Sequence, residues 1–122
     1  MKVYYAHSLL SYGTEKEKEE LAHIKSIFHD VICPNNDIGE ATRGLTAYLA
    51  IIRWSDILIA SEFQSHIGMG VYKEIEYALS LNKRCLCLRK VAGKFSLIPI
   101  HQVEMVNATD RKITYGRIVA HF

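Results

Sequence analysis

The chain has 122 residues, 49% of them hydrophobic, which is material for a single core with two layers of structure around it and too little for two folded domains. Its 15 basic and 13 acidic residues leave a formal net charge of +2, so no strong field singles out a nucleic acid polymer or a membrane as partner; a small molecule is the expected one. Cys33, Cys85 and Cys87 form no CxxC pair and no HExxH occurs, so no metal is expected, and buried thiols fit a reducing cytoplasm.

The opening MKVYYAHSLL is too short and too polar for a signal peptide, and nothing approaches a membrane span. Lys2 to Ala6, rich in valine and tyrosine, reads as a strand, with HSLLSYG as the polar loop after it. Thr14 and Glu17 make a capping box, and Leu21, Ile24 and Phe28 recur at helical spacing, which predicts a helix from about Thr14 to His29. VIC before Pro34 is a short strand, and PNNDIGEATRG is a loop by its turn chemistry.

A second helix is expected from Leu45 to Trp54. DILIA then reads as a buried central strand with Asp56 at its entrance, SEFQSHIGMG leads into a third helix, and RCLCL is a fourth strand. In the tail VEMVN looks like a strand, while KITYGRIVAHF fits a strand, an edge hairpin or a short helix, with strands favoured. Strands alternating with helices predict parallel βαβ units. The expected fold is therefore one flavodoxin-like, Rossmann-like domain over 1–122, a doubly wound sheet of about five mostly parallel strands with helices on both faces.

The third helix carries a conflict. At about 100° per residue, Val71, Ile75, Ala78, Leu79 and Leu81 share one broad arc, and Glu74 lies inside it, whereas Glu76 falls opposite. A carboxylate in that arc must reach a cleft, find a partner or carry a shifted pKa. In open parallel sheets ligands bind beyond the carboxyl ends of the strands. The loops expected there gather His7, Ser8, Ser11, His66 and Glu74, while Gly68 and Gly70 allow a ligand close to the backbone where the helix offers free N–H groups.

The stretch SDILIA…IGMGVYKEIEYALSLNK, with VYYAHS at the start of the chain, resembles the nucleoside 2-deoxyribosyltransferase family and its relatives that hydrolyse the N-glycosidic bond of nucleoside 5′-monophosphates. The resemblance covers roughly residues 2 to 89 and fades in the tail. It implies that Glu74 is the nucleophile that attacks the anomeric carbon of the sugar. It further implies that Tyr4 helps to hold that nucleophile, that Asp56 handles the leaving base, and that Ser8 belongs to a phosphate-binding loop. Where transferases often carry a second aspartate before the glycine turn, this chain has His66, a residue able to protonate a leaving base or, when charged, to contact a phosphate.

The function so implied is cleavage or exchange at the N-glycosidic bond of a nucleoside or, slightly preferred, a nucleoside 5′-monophosphate, without cofactor, in a homodimer or larger assembly. Two rivals stand beside it: an NAD-type glycosidase, and a nucleotide-binding protein that keeps the pocket without turnover. The plainer readings are a paired helix carboxylate for Glu74, a turn residue for Asp56, a core tyrosine for Tyr4, solvated loop histidines for His7 and His66, and backbone-capping hydroxyls for Ser8 and Ser11.

Overall fold

A computed structural model of the chain describes residues 1–39, 44–108 and 113–120. The first strand, β1 (Lys2–Ala6), lies between β2 (Asp30–Ile32) and β3 (Ile57–Ser61), parallel to both, and β4 (Arg84–Val91) is parallel to β3. All five residues of β3 are buried. Such an unbroken apolar run belongs to a strand covered on both faces.

The covering follows from the period of two along β1. Val3 and Tyr5 face helix α1 (Glu15–Ile27), where they meet Leu21 and Ile24. Tyr4 and Ala6 face the other way, toward α3 (Leu45–Arg53) and α4 (Met69–Ser80), where Ile52, Val71, Ile75 and Ala78 close the core. Each fully buried isoleucine contributes about 1.5–3 kcal/mol by leaving water. A single turn, α2 (Pro34–Asp37), occupies part of the stretch expected to be loop, with Pro34 at a position where its missing N–H costs nothing.

Local chemistry sets the helix ends. Thr14 caps α1, its Oγ1 accepting from Glu17 N–H at 3.3 Å. The reciprocal half of the expected box is shifted by one residue, since Glu17 Oε1 accepts from Gly13 N–H at 3.0 Å. At the end of α4 Asn82 turns left-handed (φ 57), and the N–H groups of Asn82 and Lys83 bond Leu79 O and Ala78 O at 3.0 and 2.9 Å. This pairing stops the helix and delivers the chain into β4.

The expected doubly wound, mostly parallel sheet is corrected by the strands after β4. The sheet has six strands in the order β2-β1-β3-β4-β5-β6, and both β5 (Lys94–Ala108) and β6 (Ile113–Ala120) run antiparallel to their neighbours. A parallel partner for β4 needs a long crossover, but only Ala92 and Gly93 separate its paired ends, Val91 and Lys94. Both turn residues have positive φ, 52 and 78, the backbone of a tight hairpin. The fold is thus a mixed α/β sheet, parallel from β2 to β4 and antiparallel beyond, with α4 packed against strands of both halves.

Strand β5 changes partner along its length. Lys94 to Pro99 pair with β4, and Ile100 to Ala108 pair with β6, with a register irregularity between Ile100 and Gln102. Pro99, which has no N–H to donate, sits at the handover. Ile100 and Ile118 carry this outer hairpin onto the α4 side of the core. Among the described residues no helix is long and apolar enough to cross a membrane.

The hairpin turn offers a direct check. Gly93→Ala is expected to lower stability by about 1–2 kcal/mol, because only glycine holds a left-handed backbone without steric cost, and Ala92→Asn to raise it by roughly 0.5 kcal/mol. Urea midpoints measured with unchanged slopes would establish both signs.

Candidate active site

Three segments converge at the carboxyl ends of β1 and β3 around a cavity of about 600 Å³, a size typical of small-molecule sites. The loop after β1 contributes Ser8, Leu9, Leu10 and Tyr12; the start of α3 contributes Leu45 and Tyr48; the start of α4 contributes Gly68, Gly70 and Glu74. A Cβ added at Gly68 or Gly70 would meet nothing within 4 Å, so these glycines keep the helix entrance open. The first turn of α4 presents N–H groups that have no partner inside the helix. Among the described residues no lysine or arginine lines the cavity.

Glu74 is 4% exposed, and its Oε2 is buried without a hydrogen-bond partner. Burial pushes its carboxyl up to about 7, and a hydrogen bond donated by Tyr4 offsets part of that push. Tyr4 is itself fully buried; burial first, and then Glu74 beside it, drive its hydroxyl far above the ordinary tyrosine range. It therefore stays a protonated donor throughout. Nearer the opening, the hydroxyls of Tyr12 and Tyr48 share a hydrogen bond, and burial followed by that bond also raises Tyr12.

The other face of the sheet shows what a satisfied buried carboxylate looks like. Glu20 accepts from Tyr5 Oη at 2.6 Å and from Ser61 Oγ at 2.7 and 2.9 Å, with Lys16 Nζ at 3.7 Å. Lys16 also donates to Ser61 Oγ at 2.9 Å and to the Glu62 carbonyl. Glu17 Oε2 meets His7 Nε2 at 2.6 Å, and its Oε1 accepts from Gly13 N–H and Asn35 Nδ2 at 3.0 Å each. Burial raises the Glu17 carboxyl, but the bonds from His7, Gly13 and Asn35 outweigh it and hold the group below its ordinary value. Glu74 alone of these three keeps an unpartnered oxygen, and it is the one that faces a cavity.

The residues singled out in the sequence divide accordingly. Glu74, Tyr4, Ser8, Gly68 and Gly70 come together at the cavity or directly behind it. Ser8 also caps the short 3-10 turn Leu9–Ser11, its Oγ accepting from Leu10 N–H at 3.1 Å, while Ser11, the last residue of that turn, is buried. His7 borders the cavity with both ring nitrogens engaged, Nε2 by Glu17 and Nδ1 by the Tyr5 carbonyl at 3.1 Å, so it holds the loop and has no nitrogen left for a ligand in the cavity.

His66 lies outside the cavity in an adjoining groove, which shares Ser8, Leu10 and Gly68 with it; its Nδ1 sits 3.0 Å from the Gln64 carbonyl. Asp56 is elsewhere altogether. It precedes β3 at the amino edge of the parallel sheet, where its Oδ2 accepts from Lys2 N–H and its own N–H donates to Lys2 O, each at 2.8 Å. This exposed aspartate fastens the start of β1 to β3 and takes no part in the cavity.

Tyr12, Tyr48 and the carboxylates of Glu17 and Glu20 were not singled out as site or network residues by the sequence patterns. The helical period that marks Glu74 also marks Glu17 and Glu20, each of which stands four residues before a core residue, Leu21 and Ile24 respectively. Cys85 and Cys87, packed in the α4-side core, are pushed up to about 12 by burial and stay thiols. Comparison of the chain with family models and with curated proteins gives no match, so a functional reading rests on the site itself.

Glu74 has a measurable consequence for stability. The folded chain holds this proton up to about pH 7, the unfolded chain only to about pH 4.5, so stability falls as pH rises through that window and then levels off. Glu74→Gln removes the effect. The variant is expected to match wild type near the bottom of the window and to exceed it by something on the order of 3 kcal/mol above it, as read by urea unfolding at both ends.

Proposed function

We propose that the chain cleaves or transfers at the N-glycosidic bond of a nucleoside or nucleotide, with Glu74 as the nucleophile. One observation carries this reading: a buried carboxylate oxygen without a partner opens on a cavity of about 600 Å³, while a tyrosine hydroxyl holds the same carboxylate. Leaving a buried oxygen unpartnered costs about 1–3 kcal/mol, more when charged, and such a cost is tolerated where a ligand supplies the missing interaction. Glu74 would attack the anomeric carbon as the C–N bond breaks, and the departing base nitrogen would keep the bonding electron pair and take up a proton. The product is a covalent glycosyl ester, which water resolves in a hydrolase and a second base in a 2-deoxyribosyltransferase.

The lining favours an uncharged nucleoside over a monophosphate. Its walls are mainly apolar, no cation stands among the described residues there, and an ionised Glu74 would repel a phosphate brought close to it. Tyr12 and Tyr48 offer aromatic surface for a base, and of their two hydroxyls, bonded to each other, one keeps a proton to donate to its edge. Leu9 and Leu10, 70% and 69% exposed beside the opening, suit contact with a second subunit, in keeping with a homodimer. Three buried, unpaired thiols suit a cytoplasmic protein.

A second reading, a nucleoside-binding protein without turnover, draws support from the position of Asp56, because no carboxylate other than Glu74 lines the cavity among the described residues to handle a leaving base. Free-base release from nucleosides, deoxynucleosides, their 5′-monophosphates and NAD separates the readings. Release by wild type and loss of at least about 10³-fold in Glu74→Gln is the expected result, with kcat/KM falling about tenfold per pH unit below the Glu74 titration near 7 because only the carboxylate attacks. No release from any compound, with a nucleoside still raising the melting temperature, would leave the binding protein.

A further inference from the structure

Behind β1, on the face away from Glu74, three side chains of different chemistry meet. A ring nitrogen of His7, a Glu17 carboxylate oxygen and Cys33 Sγ all lie within 4.8 Å of one another, each residue buried, and His7 Nε2 stands 2.6 Å from Glu17 Oε2. They arrive from three places in the chain: the loop after β1, the first turn of α1, and the residue between β2 and α2. Their spacing in sequence, 7, 17 and 33, matches no short metal motif, which is why the sequence pattern is silent about them.

Each of these side chains is held in place by further bonds. The other ring nitrogen of His7 faces the Tyr5 carbonyl at 3.1 Å, which fixes the proton on Nδ1 and turns Nε2 inward. The ring is held flat against Tyr5, 3.9 Å between centroids and 5° from parallel. Glu17 has its Oε1 occupied by Gly13 N–H and Asn35 Nδ2, which leaves Oε2 for the interior. Cys33 is anchored by its own N–H, which donates to Asp37 Oδ2 at 2.7 Å. Outer bonds of this kind orient imidazole, carboxylate and thiolate ligands before an ion arrives.

The geometry points to a binding site for a zinc-type transition-metal ion formed by His7, Glu17 and Cys33. Ligand atoms around a tetrahedral ion with bonds of about 2.0–2.3 Å stand roughly 3–4 Å apart, so the trio needs only a small contraction at one edge and expansion at another. One imidazole, one carboxylate and one thiolate suit Zn²⁺ or Co²⁺ and exclude Mg²⁺ and Ca²⁺, which require oxygen ligands.

The proton balance is defined. One proton lies between His7 Nε2 and Glu17 Oε2, whichever atom carries it, and one lies on the Cys33 thiol. A divalent ion replaces both, leaving neutral imidazole, carboxylate and thiolate around a 2+ charge, and two protons pass to solvent. The ion would tie the loop that walls the cavity to both α1 and β2. This site stands independently of the catalytic reading of Glu74.

The test is refolding of the full chain with Co²⁺ as a spectroscopic substitute for zinc. The expected result is one ion per chain, a thiolate-to-cobalt charge-transfer band, its loss on adding Zn²⁺, and about two protons released per ion in calorimetry across buffers. Cys33→Ser is expected to lose the band while keeping the far-ultraviolet circular dichroism of wild type. Absence of the band in wild type at saturating Co²⁺ would overturn the proposal, as would its retention in Cys33→Ser, which would assign the metal to Cys85 or Cys87. Should Cys33→Ser not fold, Glu17→Gln carries the same test: binding at least tenfold weaker supports the site, and unchanged binding overturns it.

Discussion

Two adjacent tyrosines on β1 tie the sheet to a helix on each of its faces. The pleat sends Tyr4 toward α4 and Tyr5 toward α1, and each hydroxyl ends on a helix glutamate, Glu74 on one side and Glu20 on the other. Burial then magnifies whatever each carboxylate lacks. Glu20 also has Ser61 and Lys16, and these contacts make it a structural tie; Glu74 has Tyr4 and a cavity. The same pair of residue types, placed one residue apart on a strand, thus yields a fastening on one face and a candidate reactive group on the other. The difference lies in how many donors converge.

Much of this was legible in the sequence, for reasons specific to each element. The apolar arc of α4 singled out Glu74 because a helix with 3.6 residues per turn dictates which side chains share a face. The parallel half of the sheet was legible in short apolar runs such as DILIA, whose ILIA portion lies in β3 with every residue buried. Where the sequence reading and the structure part, the reason is geometric. Asp56 precedes its strand, and the polarity of a parallel strand puts it at the edge opposite the cavity, whatever a resemblance assigns to it. The direction of β5 depended on two residues, Ala92 and Gly93, and alanine in a left-handed turn carries none of the signal that asparagine would.

The loop between β1 and α1 shows how a polar network can set the shape of an apolar cavity. His7 gives one nitrogen to the strand it has just left and the other to Glu17 on the helix to come, and Glu17 reaches back to Gly13. Thr14 Oγ1 donates to the Ser11 carbonyl at 2.6 Å and closes the turn from below. Leu9, Leu10 and Tyr12 are therefore presented by a closed ring of bonds, so their position over Glu74 is inherited largely from Glu17, Gly13, Thr14 and Ser11, which do not line the cavity.

The partner change within β5 divides the molecule's cooperativity. Every ladder from β2 through the first half of β5 is continuous, but beyond Pro99 the strand is bonded to β6, and the pair is held to the body chiefly by Ile100 and Ile118. An arm hinged at a residue with no N–H can fray from its free end without breaking any hydrogen bond of the parallel strands. Exchange of the amides from Gln102 to Val106 with solvent is then governed by the arm's own opening, and the amides of β3 are released only when the whole chain unfolds.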